Sequence, residues 1–225
     1  MFLQRVHLAR LRIAHTKGIG SALMALRTVR RHEYVRAALF ALAATLFSFA
    51  VRAPLRADER AADPPQVDGT ATDFTLSAID GQKVTLSTEL KAGPVVLIVG
   101  RGWVGYQCPF CNQQFGDFLK NETAIKAAGA RVIWVYPGPA EEVQKRAEEF
   151  AAGRAFPSNF RFVLDPDYTF TLSYGLRWNA PQESAYPATF VIDRAGTVRY
   201  ALISRSHGGR ATAADVLTAL AGIKR

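Results

Sequence analysis

The run Cys108-Pro109-Phe110-Cys111, set just after a continuous apolar stretch, constrains this chain more than any other feature. Between Pro94 and Gly100 the residues Val95-Val96-Leu97-Ile98-Val99 are all apolar, the pattern of a strand buried on both faces. A short loop, 101–107, comes next, and then a helix expected from Pro109 to about Ala128. Proline suits a first helical turn, because its missing N–H would have no partner there anyway. This puts Cys108 at the helix N-cap, where free backbone N–H groups and the positive dipole end favour a thiolate. Cys111 lies one turn along, on the same face and more shielded. Thiol–disulfide exchange needs one low-pKa sulfur and a second sulfur close enough to resolve the mixed disulfide. Cys108 is therefore read as nucleophile and Cys111 as resolving thiol.

The chain has no other cysteine. A secreted disulfide scaffold would space several pairs along the sequence. A static bridge closing so short a loop gains little stability, since loop entropy grows with length. Two cysteines cannot complete a four-ligand zinc site alone, and three of the four histidines (His7, His15, His32) lie near the N-terminus, away from His207. A structural disulfide and half a metal site are the weaker readings, and neither a metal nor a cofactor is expected.

Periodicity and turn chemistry give the remaining elements. Phe74–Ile79, the turn Asp80-Gly81 and Lys83–Leu86 read as a hairpin. Arg131–Tyr136 is a second buried strand, and Ala140–Ala152 a charged helix with Glu142 and Arg146 paired at i,i+4. Phe162–Leu164 is a short strand, and Tyr168–Tyr174 a short helix stopped by Gly175. Thr189–Asp193 and Thr197–Ser204 form a hairpin around Ala195-Gly196, and Thr212 caps a last helix to about Ala221. Alternating β and α units imply an α/β domain: a central mixed sheet with parallel strands inside, helices on both faces, and antiparallel hairpins at its ends.

Charge divides the chain. The net charge is +9, but residues 1–36 hold eight Lys/Arg against Glu33 alone, leaving +7 there. The rest, with 20 basic and 18 acidic residues, carries +2, so no nucleic-acid partner is expected. Residues 37–51 are apolar between Arg36 and Arg52. Fifteen residues is short for a spanning helix and right for the core of a signal peptide. Ser48-Phe49-Ala50 offers small residues for cleavage, while an uncleaved anchor stays open. Either way the preceding Arg residues send the remainder of the chain across the membrane, to an extracytoplasmic (periplasmic) location. Met24 is an alternative start, and residues 1–23 could otherwise form a basic helix on the inner membrane face. Residues 52–70, with Pro54, Pro64 and Pro65, read as a linker ahead of a domain over 71–225.

Residues 66–222 resemble the redoxin branch of the thioredoxin superfamily, which holds peroxiredoxins and thiol–disulfide oxidoreductases. The resemblance rests on Arg101-Gly102-Trp103-Val104-Gly105-Tyr106-Gln107-Cys108-Pro109-Phe110-Cys111, on Leu164-Asp165-Pro166-Asp167 leading to Tyr174-Gly175, and on Tyr186-Pro187-Ala188-Thr189-Phe190-Val191-Ile192-Asp193. It implies a thioredoxin-like fold and a cis Pro187 facing the Cys108 sulfur. It also departs from the peroxiredoxin pattern Pro-x-x-x-Thr/Ser-x-x-Cys. The hydroxyl position is Gly105, the proline position is Arg101, and the arginine expected two residues before Thr189 is Pro187. Arg101 or Arg177 could replace that arginine in space.

Trp103, Tyr106 and Gln107 are candidates for the rim of the site, with ordinary loop packing as the alternative. Trp178 and Tyr186 are candidates for a substrate-contacting surface, with simple core or loop packing as the favoured alternative. Glu89 and Asp117 are carboxylates that could relay protons near the thiols, with ordinary surface carboxylates as the alternative. A copper carrier would pair its cysteines with a distal histidine, but in that family three residues separate the cysteines and here only two do. Three functions are carried forward: an extracytoplasmic thiol–disulfide oxidoreductase with a protein redox partner, a thiol peroxidase, and a non-catalytic redox-sensing or metal-carrying module. Association with the membrane would run through residues 37–51.

Overall fold

The computed structural model describes residues 62–223. The basic leader, the apolar segment 37–51 and the linker before residue 62 lie outside the described residues.

Strand β3 (Val95–Val99) organises the molecule, and all five of its residues are buried. Successive side chains of a strand point to opposite faces, so one run feeds two cores. Val96 and Ile98 pack with Cys108, Cys111, Phe115, Trp134 and Phe150 on one face. Val95, Leu97 and Val99 pack with Leu86, Phe170 and Tyr174 on the other. Strands β4 (Arg131–Gly138) and β5 (Phe160–Pro166) extend the sheet in parallel. On the other side β6 (Ala188–Ile192) and β7 (Val198–Ile203) add antiparallel. The N-terminal hairpin, β1 (Thr75–Ala78) and β2 (Lys83–Thr85), joins β5 antiparallel. The order is β2-β1-β5-β4-β3-β6-β7, the mixed sheet with an added hairpin that the sequence leads one to expect.

Six helices are described: α1 (Leu86–Ala92), α2 (Pro109–Lys120), α3 (Glu122–Ala127), α4 (Ala140–Ala151), α5 (Thr169–Ser173) and α6 (Ala213–Ala221). Three expectations change. The single helix over 109–128 breaks at Asn121, whose amide side chain bonds back to the Asp117 carbonyl (2.9 Å) in competition with the ladder. The strand expected through Leu86 ends at Thr85. Leu86 and Leu90, four apart, make the buried stripe of a helix that alternation along the hairpin concealed. The linker reading fails at its end: the Asp68 amide donates to Val198 (2.8 Å) and the Val198 amide to Gly69 (2.9 Å), so the fold begins before residue 71. Thr212 caps α6 as expected, in a reciprocal capping box with Asp215. Among the described residues no helix is long and apolar enough to cross a membrane.

Sheet register decides what meets at the site. Val99 pairs with Ala188, and Ala188 with Ile203. The loop leaving β3, the loop entering β6 and the loop leaving β7 therefore come together at one end of three adjacent strands.

Candidate active site

The loop from β3 to α2 is fixed to the end of β4. Gly100 N donates to Val135 O (3.0 Å) and Trp103 N to Pro137 O (2.9 Å). Gly102 has φ +62°, and a Cβ there would collide with the Pro137 carbonyl, so only glycine lets the loop lie this close. Gln107 continues the anchorage, donating to Arg146 O (2.8 Å) and accepting from the Tyr136 hydroxyl (2.8 Å). Trp103 lies under the Arg146 guanidinium, 4.0 Å from ring centre to Cζ. Both side chains are thus used in holding the loop, which corrects their reading as rim. Tyr106, by contrast, is 42% exposed and its hydroxyl accepts from Arg101 (2.9 Å).

Cys108 is the N-cap of α2 with extended backbone (φ −68°, ψ 119°), and Pro109 opens the helix. Both cysteines are reduced and buried, at 1% and 2% exposure. The neighbouring Cys111, with Arg101 and the charge of Arg210, outweighs burial and pushes the Cys108 thiol down to about 4. Cys111 is pushed up, because its proton is held by Cys108 and because it is buried. The first sulfur is a thiolate at neutral pH and the second a thiol, the division that exchange chemistry requires.

Two arginines frame the pair. Arg101, 1% exposed, bonds Tyr106, the Gln182 carbonyl (2.9 Å) and Glu183 (2.6 Å), and its backbone N–H donates to the Cys111 sulfur (3.3 Å). Its Nε is buried without a hydrogen-bond partner. Arg210, from the loop after β7, reaches Cys111 Sγ (3.4 Å) and Cys108 Sγ (3.8 Å). It is held by the His207 carbonyl (2.8 Å) and by Gln114 Oε1 (3.2 Å). Arg177 plays no such part: it bonds the carbonyls of Trp178, Glu183 and Ser184 and lies over Tyr168. Of the two arginines the sequence offered, Arg101 is at the sulfurs, and Arg210 stands where Arg177 was considered. The signal for Arg210 was topological: the loop after the last strand returns to the level of Val99.

The other candidates sort clearly. Pro187 is buried beside the site, but no peptide bond among the described residues is cis, which corrects the expectation for Tyr186–Pro187. The trans form is the intrinsically favoured one. Here Tyr186 N bonds Leu176 O and Ser204 N bonds Pro187 O (both 2.8 Å), which carries the chain extended into β6. Tyr186 stacks on Trp178 with ring centres 4.8 Å apart and lies under Arg205. His207 pairs with Glu183 (2.8 Å), the same carboxylate that holds Arg101. Glu89 is far from this role, paired with Arg131 and Arg161. Asp117 is spent on Asn121 (3.1 Å) and on the Ala213 amide at the start of α6 (2.7 Å). Among the described residues no group of three or more His, Cys, Asp or Glu could hold a metal.

The family model for redoxins matches residues 66–220. The chain belongs to the redoxin family. Solved structures similar to this redoxin include peroxidoxin BcpB from Mycobacterium tuberculosis (22% identity, TM-score 0.56, covering 72% of this chain and 99% of that one). A putative thiol:disulfide interchange protein DsbE from Chlorobium tepidum is similar at 26% identity and TM-score 0.52, covering 69% and 99%. A yeast mitochondrial 1-Cys peroxiredoxin is similar at 16% identity and TM-score 0.55, covering 68% and 73%. No curated protein sequence matches the chain significantly. The redoxin fold is thus a thioredoxin-like one, and membership makes this chain an oxidoreductase acting on thiols and disulfides or on peroxides.

Proposed function

We propose that this redoxin is an extracytoplasmic thiol–disulfide oxidoreductase in which Cys108 attacks and Cys111 resolves. The observation that carries the reading is the buried pair of reduced cysteines at the start of α2 with the Arg210 guanidinium in contact with both sulfurs (3.4 and 3.8 Å). The Cys108 thiolate attacks one sulfur of a partner disulfide, that S–S bond breaks, and the departing thiolate takes a proton. Cys111 then loses its proton, attacks Cys108 Sγ and releases the second partner thiol. Two electrons pass from the dithiol to the partner, and the reverse sequence oxidises a partner dithiol. The thiolate held by arginines stabilises the reduced form, which favours an oxidising dithiol.

A second reading, reduction of hydroperoxides, is favoured by the buried, unpartnered Nε of Arg101. Against it, Gly105 supplies no hydroxyl, and its φ of +96° disfavours any side chain there. Transport out of the cytoplasm rests on the arginine-flanked apolar segment 37–51, by cleaved signal or retained anchor.

Full-length protein in mild detergent separates the two chemistries: insulin reduction with dithiothreitol, and hydrogen peroxide consumption with the same donor. The proposal expects insulin turnover that Cys108→Ser abolishes. Peroxide consumption without insulin turnover would transfer the assignment to the second reading, and turnover in neither would end both. Labelling of Cys108 by a membrane-impermeant maleimide in intact spheroplasts tests location, and protection until lysis would overturn it.

A further inference from the structure

Beside the dithiol runs a groove of about 720 Å³ between α2 and the loop that leads into α6. Phe110, Gln113 and Lys120 line one side, and Gly208, Gly209 and Arg210 the other. Phe110, between the two cysteines in sequence, is 44% exposed, a large apolar side chain presented at the mouth. Asp117 also lines the groove, but both of its oxygens are occupied by Asn121 and the Ala213 amide.

The charge on this groove is unbalanced. Neither Lys120 nor Arg210 forms an ion pair with a carboxylate among the described residues. Arg210 has one anionic neighbour, the Cys108 sulfur, which Nη2 approaches at 3.8 Å while Nη1 approaches Cys111. Arg101 differs in having Glu183. When the dithiol gives two electrons and the one proton it holds, on Cys111, to an oxidant and closes to a disulfide, the thiolate disappears. Arg101 keeps its carboxylate, Arg210 loses the anion that it touches, and Lys120 and Arg210 then outnumber Asp117 on the wall of the groove.

We propose that the groove receives an acidic segment of the partner polypeptide flanking its reactive cysteines, and that it binds this segment more tightly when Cys108 and Cys111 are joined. Phe110 takes the apolar contact, Lys120 attracts in both redox states, and Arg210 supplies the state dependence. Exchange would then load the partner onto the oxidised protein and weaken its hold once reduction restores the thiolate. The inference rests on the dithiol reading above and names its substrate class.

The test uses the full-length chain and three labelled ten-residue peptides, with serine in place of cysteine so that no covalent step intervenes. One carries flanking glutamates, one glutamines and one lysines. Fluorescence anisotropy at low salt should give the glutamate peptide an affinity about fivefold higher for the disulfide form than for the reduced form, the scale of one partly exposed ion pair. The other two peptides should not discriminate. Arg210→Gln should abolish the difference and Arg210→Lys should retain it. Lys120→Gln should weaken binding in both states. Equal affinity for glutamate and glutamine peptides, or tighter binding to the reduced form, overturns the proposal. Exchange with oxidised dithiothreitol, small and uncharged, is measured in parallel. Exchange without peptide discrimination removes the groove reading alone, whereas absence of exchange removes the dithiol reading beneath it.

Discussion

Cys108 comes after β3 and Asp165 lies near the end of β5, both at the carboxyl edge of the parallel strands and both facing the start of a helix. Asp165 accepts from the amides of Phe170 (2.7 Å) and Thr171 (3.0 Å), and Cys108 caps α2. Both are buried. Yet burial pushes the Asp165 carboxyl up to about 6, against its two backbone bonds, while the Cys108 thiol is driven down to about 4. Backbone amides at a helix start do not by themselves overcome desolvation. What differs at Cys108 is the neighbouring Cys111 thiol and a second guanidinium, Asp165 having the charge of Arg177 alone.

The widest expected effect is on pH dependence. An unfolded cysteine titrates at about 8.5. The folded value of Cys108 is depressed, so its contribution to the stability of the reduced protein is complete above the unfolded value and lost as pH falls towards about 4. The disulfide form lacks this titration. Urea unfolding of both forms should therefore show the reduced-minus-oxidised difference rising steadily across that window, and a flat difference would break the contrast. Asp165 has the opposite sign. Its raised folded value means that stability falls as pH rises from 3.8 through about 6, a slope that Asp165→Asn should remove.

Truncation comes next. Asp165→Ala leaves the Phe170 and Thr171 amides buried without partners and should cost about 2–4 kcal/mol in chemical denaturation. A loss under about 1 kcal/mol would mean that water replaces the carboxylate. At the dithiol, Cys111→Ala should slow Cys108 alkylation at about pH 5 more than Arg210→Gln does, and Arg210→Gln by about tenfold. Identical rates in both variants and the parent would remove the thiol proton and the arginine as causes. The smallest effect is Thr212→Ala, which opens the capping box of α6 next to the Arg210 loop and should cost about 1 kcal/mol in thermal unfolding.

Much of this was legible in the sequence, for identifiable reasons. Val95–Val99 announced a doubly buried strand because no polar residue interrupts it. The Cys108-Pro109 order announced an N-cap because proline is tolerated at so few helical positions. The parts that stayed hidden needed three dimensions. Nothing local distinguishes Arg210 from Arg177, and only the Val99–Ala188–Ile203 register brings the former to the sulfurs. Glu89 and Asp117 were plausible relays by residue type, but their oxygens are spent on partners distant in sequence. Trp103 and Gln107 lie beside Cys108 in sequence and face α4 and β4 in space.

The placement of the dithiol on the helix that follows β3 has a consequence for amide exchange. Residues that bond on both sides and pack on both faces exchange their hydrogens with solvent only when the whole domain opens. Val95–Val99 meet both conditions, paired with β4 and β6 and buried throughout. The loop that leads to the sulfurs leaves this strand, and the Cys111 sulfur accepts from the amide of Arg101, two residues beyond it. Deuterium uptake along this strand would then report the redox state from within: forming or breaking the S–S bond alters the depth of the global opening, so the exchange of five buried valine, leucine and isoleucine amides serves as a gauge of chemistry at the adjoining pair.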